Sequence, residues 1–201
     1  MASVEPGADK SGDLHRHVPD WLTVVQVSDE PRTLILLRHA KSDYPDGVAD
    51  HERPLAPRGQ REAGLAGDWL RTDPLIDPRV QAVLCSTATR TRETLARTGL
   101  NAEVRFVDRI YDATPGAVID EINDTEDTFG FDVRTLLVIG HEPAMSQLAL
   151  GLADLGHSDA DAVERISAKY PTSSMAVLKV SGTWRSVQLG SAALVAFHVP
   201  R

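Results

Sequence analysis

The sequence predicts an α/β domain with a mostly parallel central sheet, helices on both of its faces, and an antiparallel edge near the C terminus. Three observations lead there. Four short apolar-rich runs, at 33–39, 80–86, 135–141 and 173–180, are each bounded by polar or turn residues and read as strands. Helical stretches lie between them, the alternation that parallel strands with crossover helices require. The last run leads through a Gly-containing turn into another strand-like run, and so short a link joins antiparallel neighbours.

In chain order, residues 1–30 mix Gly, Pro, Ser and charge around one brief apolar patch, Trp21 to Val27, and read as a tail, partly disordered or loosely docked. His15 and His17 fall in this tail and are taken as solvated side chains without a role. The domain proper is predicted over 31–201. Its first strand, TLILLRH, precedes the helical stretch 57–71, where Pro57 suits a helix start and Leu65/Trp69 and Ala66/Leu70 stand at i, i+4. VQAVLCS is the second strand of the reading and TLLVIGH the third. A helix follows over 143–156, with Met145, Leu148, Ala149 and Leu152 on one face, Pro143 in the first turn and Gly156 as the stop. SSMAVLKV and the run ending in ALVAF make the antiparallel pair. There is no internal repeat and no low-complexity block.

Bulk properties narrow the function classes. The 201 residues, 42% hydrophobic, suffice for one domain with a single sizeable core. A formal charge of -8 and a pI near 5.3 exclude a surface built for nucleic acid or anionic membrane, so any basic cluster is local. The single Cys85 forms no internal disulfide, and no signal-like start or apolar run approaching 18 residues occurs. The expectation is a soluble cytoplasmic protein, monomeric or weakly dimeric.

Chemistry should collect where parallel strands end, since ligands bind beyond their carboxyl ends. The first strand ends at Arg38-His39, the second at Cys85-Ser86 followed by Arg90 and Arg92, and the third at Gly140-His141-Glu142 before a helix. Guanidiniums match phosphate oxygens with paired donors, imidazole supplies a nucleophile or donor, and a helix N terminus adds free N–H groups. Converging on one rim, these make a site for a phosphoryl group. Other chemistries fit worse. A cysteine phosphatase needs Arg six positions after its Cys, and position 91 is Thr. No G-x-x-x-x-G-K-[ST] or G-x-G-x-x-G nucleotide loop is present, and no H-x-x-x-H or H-E-x-x-H pair that would nucleate a metal site. No cofactor and no metal are expected.

The segments LLRHAKSDYPDGVADHERPLAPRGQREA, VLCSTATRTRETL and LLVIGHEPAMSQLAL resemble, in order, those of the histidine phosphatase superfamily (phosphoglycerate mutase-like), and in particular its small SixA-like phosphohistidine phosphatase branch. The resemblance covers roughly residues 32–199 and implies the three-layer phosphoglycerate mutase-like fold. It implies that His39 attacks phosphorus and becomes phosphohistidine, that Arg38 and Arg90 hold the phosphoryl oxygens, and that His141 donates to that group in the transition state. The phosphate-binding set is thus Arg38, His39, Arg90 and His141. Two positions depart from the family pattern: Ala40 replaces the usual Gly after the first His, and STATRTRET replaces the commoner Ser-Pro-Leu form. For the proton donor to the leaving group, Glu142 is preferred over Asp108, and a phosphohistidine substrate needs little such help. Lys41 and Arg53 would extend the positive rim.

The chain has little room for a lid, so the expected site is open, suited to a phosphorylated protein rather than an enclosed small metabolite. The reading is a phosphohistidine phosphatase acting on a signalling protein. Its rivals are a broad phosphomonoesterase on small phosphoesters, a mutase, and a phosphate-binding module without turnover.

Overall fold

A computed structural model describes residues 31–201 and Met1; the tail reading for 1–30, with His15 and His17, lies outside the described residues. In chain order the elements are β1 (Arg32–Arg38), α1 (Pro57–Thr72), β2 (Ala82–Ser86), α2 (Thr89–Thr98), β3 (Glu103–Val107), α3 (Pro115–Asn123), α4 (Thr125–Phe129), β4 (Thr135–Gly140), α5 (Ala144–Leu152), α6 (Ala160–Ala168), β5 (Met175–Val180) and β6 (Ala192–His198). Short 3-10 turns at Asp50–Glu52, Asp108–Ile110 and Trp184–Ser186 complete it.

The six strands form one sheet in the order β3-β2-β4-β1-β5-β6. β1, β2, β3 and β4 run parallel, while β5 pairs antiparallel with β1 and β6 antiparallel with β5. This is the phosphoglycerate mutase-like α/β architecture, antiparallel edge included. Both sheet faces are buried, as apolar runs without polar alternation require. Leu34, Leu36, Leu136 and Val138 point into a core shared with α3, α5 and α6, whereas Ile35, Leu37, Leu137 and Ile139 point into a second core under α1.

Three local features differ from the sequence reading. β3, with the sequence EVRFV, was not anticipated: it is an edge strand whose residues are mostly exposed, so it carries no apolar run. On α1 the buried stripe is Ala63, Ala66, Gly67 and Leu70; Leu65 is 39% exposed, and Trp69 lies flat on His198, ring centroids 4.5 Å apart. α5 buries Met145, Leu148, Ala149 and Leu152 as its period demands, yet stops at Leu152 rather than at Gly156. The sheet takes the chain over there: Ala153 bridges Ala192 and Asp154 N–H donates to Ala192 O at 2.8 Å. No helix among the described residues is long and apolar enough to cross a membrane.

Candidate active site

Strand register brings the two histidines together. β1 and β4 are parallel neighbours with Arg38 opposite Gly140, so the next residue on each strand, His39 and His141, emerges side by side. His39 N–H extends the ladder by donating to Gly140 O at 3.0 Å, and the imidazole centroids stand 5.1 Å apart with the rings tilted by 53°. β2 flanks β4 with Cys85 opposite Ile139, which places Ser86 against His141: Ser86 Oγ and His141 Nε2 are 2.8 Å apart. In the first turn of α2, Arg90 is buried at the same rim.

The environment of His39 fixes both tautomer and charge. Its Nδ1 is 2.7 Å from Ala40 O, and a carbonyl only accepts, so Nδ1 carries the proton and Nε2 keeps its lone pair. The ring is 8% exposed. Burial lowers its pKa to about 4; the Ala40 carbonyl works the other way, and Arg90, Arg38 and Arg53 add to the lowering. His141 is held at about 3, first by burial, then by His39 and Arg90. Both rings are therefore neutral at pH 7, and Arg38 and Arg90 act on both, as groups around one point must.

Each guanidinium is anchored. Arg38 donates to Tyr170 O at 2.6 Å, and Tyr170 in turn is fixed by donating its hydroxyl to Leu36 O at 2.6 Å and accepting from Ala176 N–H at 3.0 Å. Arg90 gives one nitrogen to Asp50 O at 2.6 Å and the other to Asp50 Oδ2 at 3.0 Å. Asp50 also accepts from Tyr111 Oη at 2.9 Å and Arg53 at 2.6 Å. With the Tyr111 hydroxyl as the leading cause and the arginines adding, its pKa falls to about 2, so Asp50 is an anion throughout the working pH range. The Tyr111 ring meets His141 edge-on at 5.5 Å and His51 at 4.9 Å.

The backbone beneath His39 is closely fitted. A Cβ on Gly59 would lie 2.1 Å from Lys41 O, so only glycine lets α1 approach the loop after His39. The Ala40 methyl is buried in a small cluster with Leu55 and Ala63, and Ala40 N–H donates to Thr94 Oγ1 at 2.9 Å. Threonines shape the β2–α2 turn: Thr91 Oγ1 donates to Ser86 O at 2.8 Å and Thr94 Oγ1 to Arg90 O at 2.6 Å.

Such a cluster of neutral imidazoles and fixed guanidiniums suits a tetrahedral anion, and comparison with known proteins agrees. Residues 34–178 match the sequence model of the histidine phosphatase superfamily (branch 1). The chain belongs to that superfamily. An uncharacterized protein of Mycobacterium tuberculosis is 61% identical over 165 residues, 82% of this chain and 100% of its own length. Among solved structures, the phosphohistidine phosphatase SixA of Nakamurella multipartitia aligns with a TM-score of 0.74 and 35% identity, covering 85% of this chain and 96% of that one. SixA of Agrobacterium tumefaciens aligns with a TM-score of 0.66 and 25% identity, covering 85% and 99%.

In this histidine phosphatase His39, His141, Arg38 and Arg90 lie at one rim, but neighbouring residues are directed elsewhere. Arg92 is exposed on the far side of α2, its guanidinium 5.0 Å from the Phe106 ring. Lys41 and Arg53 lie over Tyr44, and Arg53 serves Asp50 and Ser42. Glu142 uses both oxygens on its own helix, accepting from Ser146 N–H at 3.0 Å and Ser146 Oγ at 2.6 Å. At the N terminus of α5, Met145 N–H donates to His141 O and Ser146 N–H to Glu142. Asp108 is exposed in a 3-10 turn. Sequence reasoning passed over Asp50, Tyr111 and His51. The only signals for them were an Asp-His pair in a Pro-flanked loop and a Tyr in the polar stretch VDRIYDA.

Proposed function

We propose that this histidine phosphatase dephosphorylates phosphohistidine on a signalling protein through a phosphohistidine intermediate formed on His39. One observation carries the reading: a buried, neutral imidazole whose Nδ1 proton is committed to Ala40 O, leaving Nε2 with a free lone pair in the field of Arg38 and Arg90, as a nucleophile requires. In the first step Nε2 attacks phosphorus in line, and the N–P bond to the enzyme forms as the bond to the leaving group breaks. Arg38 and Arg90 offset the charge on the phosphoryl oxygens, and neutral His141 still holds one N–H to donate. Water then attacks phosphorus, the bond to Nε2 breaks, phosphate leaves with the water's proton, and His39 returns to its starting tautomer.

The substrate class follows from the acid chemistry. An ester needs a proton delivered to a departing alkoxide, and Glu142, with both oxygens held by Ser146, would have to turn one of them away to deliver it. A phosphoimidazole takes its proton on its own second ring nitrogen from solvent and leaves as neutral imidazole. The 35% identity to a SixA phosphohistidine phosphatase supports the same choice.

The test offers the full chain a phosphohistidine-bearing protein and small phosphoesters, with acid and alkaline quenches to trap the acid-labile phosphoenzyme. Turnover of phosphohistidine well above that of esters is expected, together with loss of turnover and of phosphoenzyme in His39→Ala. A preference for small esters rejects the substrate assignment while keeping the phosphatase. Full turnover by His39→Ala rejects the intermediate.

A further inference from the structure

A cleft of about 520 Å³ is lined by Arg58, Arg61, Glu62, Leu65, Lys169 and Arg201, none of them a group of the candidate site. One wall is the first half of α1, and the other includes Lys169 from the segment joining α6 to β5. Four cations share it in a chain that carries 29 acidic and 21 basic side chains. Arg58 pairs with Glu62 at 2.6 Å. The side chains of Arg61, Lys169 and Arg201 have no ion pair or hydrogen bond among the described residues. Like charges gathered this way repel one another, and an outside anion relieves that.

We propose that this cleft docks a carboxylate-rich segment of the phosphorylated protein substrate. The size suits a stretch of peptide better than a lone anion, and partly exposed Leu65 gives such a segment an apolar contact. The walls also lead to the catalytic rim. Arg58 precedes Gly59, which packs on the Lys41 backbone two residues from His39. Lys169 precedes Tyr170, whose carbonyl anchors Arg38. A segment held in the cleft therefore lies next to the loops that carry the nucleophile, where a protein presenting phosphohistidine needs a second contact. The net charge of -8 disfavours a long polyanion such as nucleic acid, which needs an extended basic face. The identity of the partner rests on the phosphoprotein reading above; the existence of the anion-binding cleft does not.

The experiment compares the wild-type full chain with the double variant Arg61→Glu/Lys169→Glu, neither residue touching the catalytic groups. With a phosphohistidine protein whose surface is acidic, kcat/KM at low salt is expected to fall about tenfold, the gap closing as salt rises, as for steering by rim charges. With phosphoimidazole, a substrate too small to reach the cleft, kcat/KM stays within about twofold, which also shows that the variant is folded. Equal losses on both substrates, or none on either, overturn the proposal. A separate arm measures binding of a fluorescein-labelled glutamate-rich decapeptide without phosphate. Salt-sensitive binding by the wild type that the double variant loses supports the cleft even if neither phosphohistidine substrate turns over, the result that would sink the substrate reading alone. Binding retained by the variant, or tighter binding of a single-stranded oligonucleotide than of the peptide, overturns it.

Discussion

Lowering the pH from 7.5 to 5.0 should destabilise this protein through His39, and replacing His39 by Gln should remove that part of the loss. The folded imidazole titrates at about 4, against 6.5 for the unperturbed ring. At pH 5.0 the unfolded ring is about 97% protonated and the folded ring about 9%, so acid favours the unfolded chain, which binds more protons. The contribution is complete above pH 6.5 and is lost as pH falls toward 4. At pH 5.0 the loss is about 1.5 pH units at about 1.4 kcal/mol each, or about 2 kcal/mol. For a chain of this length that corresponds to a Tm shift of roughly 4–8 °C. His141 changes in the same direction, because His39 is one of the groups holding its pKa down and removing it relaxes that hold. Thermal unfolding of wild type and His39→Gln at pH 7.5, 6.0 and 5.0 measures the difference, and imidazole NMR titration reads the ring directly. The Tm of the wild type should fall further than that of the variant by roughly 4–8 °C. Equal falls, or a His39 ring titrating near its unperturbed value, would refute the claim that burial keeps His39 neutral.

Two substitutions probe the scaffold of the site. Gly59→Ala puts a methyl 2.1 Å from Lys41 O and should cost about 3 kcal/mol in urea unfolding and reduce kcat, whereas Gly64→Ala on the same helix meets nothing within 4 Å and should stabilise by up to about 1 kcal/mol. Similar shifts for the two would contradict the close approach of α1 to the His39 loop. Tyr170→Phe leaves Leu36 O and Ala176 N–H without their partner and should cost about 2 kcal/mol; an unchanged Tm would show that these bonds contribute nothing net.

Much of the architecture was legible because it is written in local pattern. The runs that became β1, β2 and β4 are almost wholly buried, as strands covered on both faces must be, and each stops at the polar residue that reaches the rim, whereas antiparallel β5 starts at that rim and is apolar but for Lys179. β3 was illegible for the converse reason: at the edge of the sheet it alternates charge with partly buried residues and does not stand out from a loop. At the strand end Arg90 and Arg92 stood together and only the family resemblance singled out Arg90; two residues along a helix turn a side chain by about 200°, so Arg90 faces the site and Arg92 faces Phe106. Asp50 and Tyr111 sit in non-periodic connections after β1 and β3, and nothing local to either segment reports that they meet at Arg90.

The amino-acid order by itself determined five of the six strands and that imidazole and guanidinium would follow the ends of the parallel ones, because burial pattern and side-chain chemistry are properties of short stretches. Tertiary structure alone decided that Arg38 pairs in register with Gly140, so that the two rings come within 5.1 Å, and that Asp50 clamps Arg90. It also decided that His39 loses its proton affinity, since desolvation and neighbouring charge exist only once strands distant in the chain have packed together.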